Sequence, residues 1–554
     1  MRHLLLCGIP LAHLSFMIKT MLCLTFFHRK RHPEALCLLA ILAVFIALTF
    51  TAKAAPSDLV LTDPKVITPA AQIKNVADWE PGDPLSFADG LGTFDAEVRE
   101  RFEVRDNWID FNSQTNTRDD TGLLQRLRLG LKLMPTDWLT FYSQLQDSRT
   151  FFDDTNDIKP NAPGSQQSFT TNDDPIALRQ AYLKFDKIAD QPLSFTAGRQ
   201  VLSYGDERLV GGFDWDNNAR TFDALKLVYK QKDYTIDVFS AYVDQHQTQD
   251  FDNPETHDLF LGAYATTKLT PDFTSDYYVF WRSKDQVTPV TSSTNAANET
   301  DGDPAPDGDY ATLGTRWKSL PGSFSNWDFG YEGALQVGTI VNPLQGTATT
   351  VSGQKINTGR QDLLAGMSHV EVGYTMPVDW KPRPFASFDY ASGSTDPNSG
   401  TSSTFQNLYP TNHPLYGILD RFSLQNIYQA TVGVIATPTD KITLRLDYHN
   451  SWLVSTNDEW RVANQTPLGS SLVSPVGSAP ASGYAARYVK ALAVNPSNYV
   501  GSEVDLIATY QLTKWCQLQV GGAHFFAGAY IRETASGQET DDANFAYTQL
   551  KVDF

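Results

Sequence analysis

From Leu91 to Phe554 the chain repeats one pattern: runs of about 8–13 residues in which apolar and polar side chains alternate, separated by connections rich in Gly, Pro, Asn and Asp. A period of two places successive side chains on opposite faces of an extended strand. In the run 122–134, Leu127, Leu129, Leu131 and Leu133 share one face, and Arg126, Arg128, Gly130 and Lys132 share the other. In 441–453, Ile442, Leu444, Leu446 and Tyr448 oppose Thr443, Arg445, Asp447 and His449. In 93–105, Ala96, Val98, Phe102 and Val104 oppose Glu97, Arg99, Arg101, Glu103 and Arg105, with Glu100 out of phase. In 327–339, Phe329, Tyr331, Leu335 and Val337 oppose Glu332, Gln336 and Gly338. No apolar run after residue 51 approaches the ~18 residues of a membrane-spanning helix. Such a chain is a large soluble β protein or a transmembrane β-barrel. Parity alone does not say which face points inward.

The connections decide between them. The runs fall near 93–105, 122–134, 138–151, 176–186, 192–203, 221–230, 234–244, 258–268 and 273–284, then 309–318, 327–339, 363–375, 383–392, 426–437, 441–453, 500–512, 515–527 and 545–554. Links after even-numbered runs are short, as at Met134-Pro135-Thr136-Asp137, Thr270-Pro271-Asp272, Thr437-Pro438-Thr439-Asp440 and Leu512-Thr513-Lys514. Links after odd-numbered runs are often long and polar: 152–175, 204–220, 285–308, 393–425 and 454–499. Short turns on one side and long loops on the other are the build of outer-membrane barrels. Trp138, Trp327, Trp380 and Trp515 sit beside short turns, where a periplasmic aromatic girdle would lie. The last run ends on Phe554 with Leu550 and Val552 in phase, which resembles the recognition signature of bacterial outer-membrane barrels. The expected fold is all-β: a transmembrane antiparallel β-barrel of about 18 strands, with short periplasmic turns and long extracellular loops. Outer-membrane lipid and the barrel-assembly machinery are its expected partners, with a monomer as its expected state.

The first 54 residues read as an export signal. A basic cluster, Arg29-Lys30-Arg31-His32, precedes an apolar stretch from Leu36 to Phe50, and Ala52-Lys53-Ala54 fits a small-x-small cleavage site. The expected division is a targeting region at 1–54, a periplasmic lead-in at 55–92 and the barrel at 93–554. Cys7, Cys23 and Cys37 all precede the cleavage site, leaving Cys516 alone. A secreted disulfide scaffold is thereby excluded. The targeting region also holds six of the 44 Lys and Arg but one of the 63 Asp and Glu, so the formal charge deepens from −19 to about −24 beyond it. That balance excludes a nucleic-acid partner, which needs a basic footprint. Any polyanion must meet a locally basic lining.

The stretch Gly198-Arg199-Gln200-Val201-Leu202-Ser203-Tyr204-Gly205-Asp206-Glu207-Arg208-Leu209, followed by Trp215-Asp216-Asn217-Asn218 and Arg220-Thr221-Phe222-Asp223, resembles the alginate-export family of outer-membrane channels. Leu178-Arg179-Gln180-Ala181-Tyr182 and Gln125-Arg126-Leu127-Arg128-Leu129-Gly130 fit it too. The similarity spans about 93–554 and is strongest in 93–230. It implies an 18-stranded barrel and passive passage of an anionic polysaccharide through an arginine-lined pore. A polyuronate carries a carboxylate on every sugar, and the arginine fork pairs with carboxylates and stays charged.

The candidate substrate-binding residues are Arg99, Arg101, Arg126, Arg128 and Arg445, lumenal by parity, with Arg179 and Arg199 added from the family-like motifs. Arg199 is in phase with Phe195 and Val201, so a bulge is needed to turn it inward. The alternative is that these arginines only pair with Glu97, Glu103, Glu332, Glu371, Asp389 and Asp447 to satisfy a polar interior. The Gly-, Asp- and Trp-rich segment Asp206 to Asp223 either folds inward and narrows the pore or forms an ordered surface loop. Asp301-Gly302-Asp303-Pro304-Ala305-Pro306-Asp307-Gly308-Asp309 has the composition of a Ca²⁺ loop but lacks EF-hand spacing, and a solvated acidic loop is the plainer reading. No cofactor is expected. A general or other-solute porin shares the whole architecture. An outer-membrane enzyme would need a nucleophile, and Asp447 with His449 has none beside it; an adhesin is the remaining class.

Overall fold

The computed structural model describes residues 85–108, 111, 120–152, 174–245, 253–284, 308–341, 350–351, 354–355, 360–396, 399–413, 415–461, 495–535 and 540–553. The targeting region, most of the lead-in, Phe554 and the acidic loop up to residue 307 lie outside the described residues.

Eighteen strands close into an antiparallel barrel. In chain order they are β1 (Gly92–Asp106), β2 (Asp120–Thr136), β3 (Leu139–Phe151), β4 (Asp174–Phe185), β5 (Leu193–Gln200), β6 (Phe222–Lys230), β7 (Tyr234–Gln245), β8 (Asn253–Thr270) and β9 (Phe273–Lys284). They continue with β10 (Gly308–Ser319), β11 (Trp327–Val341), β12 (Arg360–Tyr374), β13 (Arg383–Ala391), β14 (Ile427–Thr439), β15 (Ile442–Leu453), β16 (Tyr499–Thr513), β17 (Cys516–Ala527) and β18 (Ala543–Asp553). Each pairs with its neighbour in sequence, and β18 closes on β1 from Glu97↔Asp553 to Asp106↔Asn544. Closure removes every open sheet edge, which a lipid environment demands. Where β18 stops, a short strand from the lead-in, Leu85–Phe87, pairs with Gly92–Phe94 of β1 and continues that seam.

The apolar face points out. Leu129, Leu335 and Leu506 are 52%, 62% and 57% exposed, while Arg101 and Arg126 are buried inside. Trp138, Trp327 and Trp380 are exposed beside short turns, as an interfacial girdle requires. The expected boundary that differs most is the start of β8, at Asn253 rather than 258; β5 stops at Gln200 rather than 203, and β12 starts at Arg360 rather than 363. After Gln200 the chain leaves the wall and turns into the barrel, with the Tyr204 amide donating to the Val210 carbonyl at 3.0 Å.

Two long connections fill the interior. The first inward loop, 201–221, and the second, 392–426, run side by side through the parallel bridge Val210↔Tyr409. Gly211 N donates to Tyr409 O at 2.8 Å, Tyr409 N to Leu209 O at 2.8 Å and Thr411 N to Glu207 O at 2.9 Å. The second loop docks on β16 at Gly417, whose φ of +104° aims the next two amides at the wall. Ile418 N donates to Asp505 Oδ2 (3.1 Å) and Leu419 N to Glu503 Oε1 (2.8 Å). A Cβ on Gly417 would lie 2.6 Å from the Glu503 carboxylate, so a side chain there would both clash and strain the backbone.

The interior is not uniformly polar. Along β7–β9, Phe239, Phe260, Tyr264, Tyr278 and Phe280 are buried inside the barrel. Tyr204 of the first loop stacks on Tyr264, with ring centroids 4.6 Å apart, and Phe239 lies 5.1 Å from Phe260. The lumen thus has an aromatic side at β6–β10, which also carries the ion pairs Arg282–Asp258 and Arg316–Asp276, and an arginine-rich side at β1–β4 that continues to β16–β18. The run Leu259-Phe260-Leu261 lacks alternation, which is the pattern of a strand covered on both faces.

Beyond β15, Asp458 accepts from Ser394 N, Thr404 Oγ1 and Glu459 N at 2.8, 2.5 and 2.8 Å. Burial pushes its pKa up to about 6, against the lowering effect of those donors. A raised carboxyl pKa favours the neutral form in the folded state. This contribution is complete below the ordinary value near 3.8 and is lost as pH rises through about 6. Amides of 394–405 are therefore expected to be better protected at pH 5 than at pH 7.5, after correction for intrinsic exchange. Asp458→Asn should abolish the difference.

Candidate functional site

The site is built where β1 and β2 pair. Arg99 stands directly opposite Arg126, and Glu97 opposite Arg128. Like charges facing each other across a ladder repel, so this wall needs an anion. The first inward loop supplies one. Arg128 Nη1 lies 2.8 Å from Asp214 Oδ1, Arg126 Nη2 3.3 Å from Asp214 Oδ2, and Arg179 Nη2 3.7 Å from Asp214 Oδ1. Main-chain carbonyls complete the anchorage. Arg99 Nη1 donates to Asp214 O (2.7 Å), Arg126 Nη1 to Asp214 O and Asp216 O (both 3.1 Å), and Arg101 Nη1 to Trp215 O (2.7 Å). Gln146 and Ser148 of β3 donate to the Asn218 and Asn217 carbonyls.

Trp215 is held from both faces. The Arg101 guanidinium lies 3.8 Å from its ring centroid, and the His413 ring of the second loop stacks on it at 3.8 Å and 9°. One indole therefore ties both inward loops to β1. Arg126 also pairs with Glu97 at 2.6 Å, and Arg101 with Glu103 at 2.6 Å. The Asp214 side chain nevertheless remains 50% exposed, facing a cavity of about 310 Å³.

Five of the seven expected arginines thus meet: Arg99, Arg101, Arg126, Arg128 and Arg179. Arg179 arrives through a bulge in β4, where Gln144 pairs with Gln180 but Leu145 pairs with Leu178. The bulge expected at Arg199 does not bring that residue to the cluster. Gly198 has φ +124°, and a Cβ there would lie 2.2 Å from the Ala181 carbonyl. Arg199 pairs instead with Asp223 and Asp244, both at 2.9 Å, on the face of β6 opposite Phe222 and Ala224. Arg445 lies on β15, half-buried, with Nε 2.5 Å from Asp447 Oδ2.

On the opposite wall the first loop is pinned a second time. Arg208 Nη1 lies 3.0 Å from Asp389 Oδ1 and from the Tyr416 hydroxyl, and Nε is 3.4 Å from Glu332. Asp206 joins Arg316 at 2.8 Å and Lys318 at 2.7 Å. Sequence reading had Glu332 and Asp389 as partners for lumenal arginines but did not find Arg208 as the one they take. It also missed the second inward loop, whose 393–425 sequence carries no local sign of direction. Arg208→Met leaves Asp389 with His369 alone and Glu332 with the Tyr278 hydroxyl, a loss of up to about 3–5 kcal/mol for breaking a buried pair. The barrel should still assemble. The loop should detach, read as faster proteolysis within 201–221.

Among the described residues no group of three or more His, Cys, Asp or Glu side chains could hold a metal ion. Of the acidic loop, Gly308 and Asp309 are described. They open β10, where Asp309 accepts from Ser283 at 2.6 Å and pairs with Arg360 at 3.2 Å.

A closed antiparallel barrel with an apolar outer belt, tryptophans beside its short turns and charged loops folded into its lumen is an outer-membrane channel. The sequence profile of the family described as Alginate export matches residues 91–545, and the chain belongs to that family. No curated protein matches it. Similar solved structures come from Pseudomonas aeruginosa. OccK8 (OprE) is 10% identical with a TM-score of 0.49, covering 84% of this chain and 98% of that one. OccD3 (OpdP) is 9% identical at 0.48, covering 87% and 96%. OpdK, solved with vanillate, is 10% identical at 0.47, covering 84% and 98%.

Proposed function

We propose that the protein is a passive channel for an anionic oligosaccharide or polysaccharide of the alginate type, through an arginine-lined passage on the arginine-rich side of the lumen. The observation that carries this reading is the cluster of five arginines against the first inward loop, three of which, Arg126, Arg128 and Arg179, meet the Asp214 carboxylate. Asp214, with its side chain half exposed, sits where a solute carboxylate would be received. Charge compensation within the lumen, as at Arg208 with Glu332 and Asp389, favours the second reading, a porin for other solutes. Reversal potentials across a salt gradient in planar bilayers separate the two. Anion preference is expected despite the acidic total; cation preference would reject the anionic-saccharide reading and leave the channel.

A further inference from the structure

The outer surface of the barrel is not the same all the way round. On β1–β3 a polar row interrupts the apolar face. Glu100 stands opposite Gln125 across one ladder, and Gln125 opposite Arg149 across the next. These positions are in phase with Phe102, Leu127 and Phe151, which are 43%, 37% and 40% exposed, so the row points outward. Gln125 Nε2 donates to Glu100 Oε1 at 2.6 Å, and Arg149 Nε lies 2.6 Å from Asp147 Oδ1 on the same face of β3. Val98 and Phe102 flank Glu100 along its strand, and Leu123 and Leu127 flank Gln125. The row therefore lies within the apolar belt.

Elsewhere on the barrel the same face is different. Along β11 the outward series Phe329, Tyr331, Leu335 and Val337 runs without a charged side chain, and β12 adds Leu364 and Val370. Lipid surrounds a barrel evenly, so lipid alone gives no reason to gather charges on one sector. Charged side chains on a lipid face are costly and are usually found paired. Here the pairing is incomplete. A neutral amide does not cancel the Glu100 charge, and Arg149, although joined to Asp147, keeps its side chain 49% exposed. Two carboxylates beside one guanidinium leave the sector negative, which repels an anionic lipid headgroup. Glu100 calls for a cation, and Arg149 has surface left for an acid. A second copy of the chain carries both.

The row is also self-complementary, because Gln125 stands between the acid and the base. A half-turn about an axis that runs past Gln125 along the membrane normal brings Glu100 of one copy toward Arg149 of its partner, and the reverse. That is the isologous contact of a two-fold dimer. We propose that the outer face of β1–β3 is the contact between two copies of this chain in the membrane, with Gln125 near the axis and Glu100 and Arg149 paired across it. Each barrel keeps its own lumen, so the proposal stands apart from the choice of solute. Sequence parity led to the expectation of a monomer because it shows which side chains point outward and not what they meet.

The test is thiol cross-linking of the full-length protein in isolated outer membranes. The reagent is a bis-maleimide that spans about 10 Å, the spacing of packed sheets. Cys516 is buried, so the unmodified chain is the blank. Gln125→Cys should give a product of twice the chain's mass, and Leu335→Cys, on β11, should not. Leu123→Cys, on the same face of β2, serves if Gln125→Cys gives no heat-modifiable band. Adding Arg149→Gln to the cysteine variant should lower the yield about fivefold, because it removes the charge that meets Glu100. Equal yields at Gln125 and Leu335 would mean chance collision and overturn the dimer, as would no product at Gln125. A product of any other mass would show that a different protein covers this sector. A yield unmoved by Arg149→Gln would overturn the charge pairing across the axis.

Discussion

Leu127→Arg combined with Leu129→Arg is expected to keep the chain from assembling in the outer membrane. Both leucines lie on the outer face of β2, 37% and 52% exposed to what the fold makes lipid. An arginine on the lipid face costs about 2–4 kcal/mol near the midplane, and two approach the whole stability of an ordinary domain, about 5–15 kcal/mol. The measurement is heat-modifiable migration on a gel, which the double variant should lack. Their sequence neighbours give the contrast. Arg126→Gln with Arg128→Gln changes the same strand on its other face and should still yield a heat-modifiable band. If the leucine variant assembled and the arginine variant did not, inside and outside would be reversed.

That same arginine double variant carries the second large effect, on selectivity. It removes two cations and leaves Asp214 and Glu97 short of their closest partners, at 2.8 and 2.6 Å. At about 4 Å and an effective dielectric of about 20, each removed charge would be worth about 4 kcal/mol to a passing carboxylate. Water in the lumen screens most of that. A fall of about tenfold in the anion-to-cation permeability ratio, equivalent to about 1.4 kcal/mol, is expected from reversal potentials. The loop should stay in place, because Asp214 O and Asp216 O lose the Arg126 donor but keep those of Arg99. An unchanged ratio would show that these arginines serve only to hold the loop.

The cylinder was legible because its signals are local. Alternation in Leu127 to Leu133 and in Ile442 to His449 marks a strand with two different faces, and turn residues mark its ends. Runs with that pattern met strands within a few residues, and Arg99, Arg101, Arg126 and Arg128 faced inward as parity required. What the lumen contains was not local. Nothing near Asp214 in sequence names β1, β2 and β4 as its partners, and the Val210–Tyr409 bridge joins segments about two hundred residues apart. Arg179 and Arg199 show the limit in one pair. Both had motif support, yet only the one at a bulge reached the cluster, and a single extra residue in a ladder leaves no mark on composition. The inward aromatics of β7–β9 had a faint signal, the unbroken Leu259-Phe260-Leu261, which a strict two-face reading passes over.

The aromatic filling along β6–β10 separates two properties that barrels are often assumed to share, girth and bore. Strand number and tilt set the girth through the hydrogen-bonded ladder. The bore here is whatever cross-section remains after Tyr204, Phe239, Phe260, Tyr264 and their neighbours have taken their share. Trimming one of those buried rings would free room inside the cylinder without touching a single ladder hydrogen bond, and enlarging a buried alanine such as Ala241 would crowd it. Solute size can therefore drift through substitutions inside the cylinder while the surface that meets lipid stays the same.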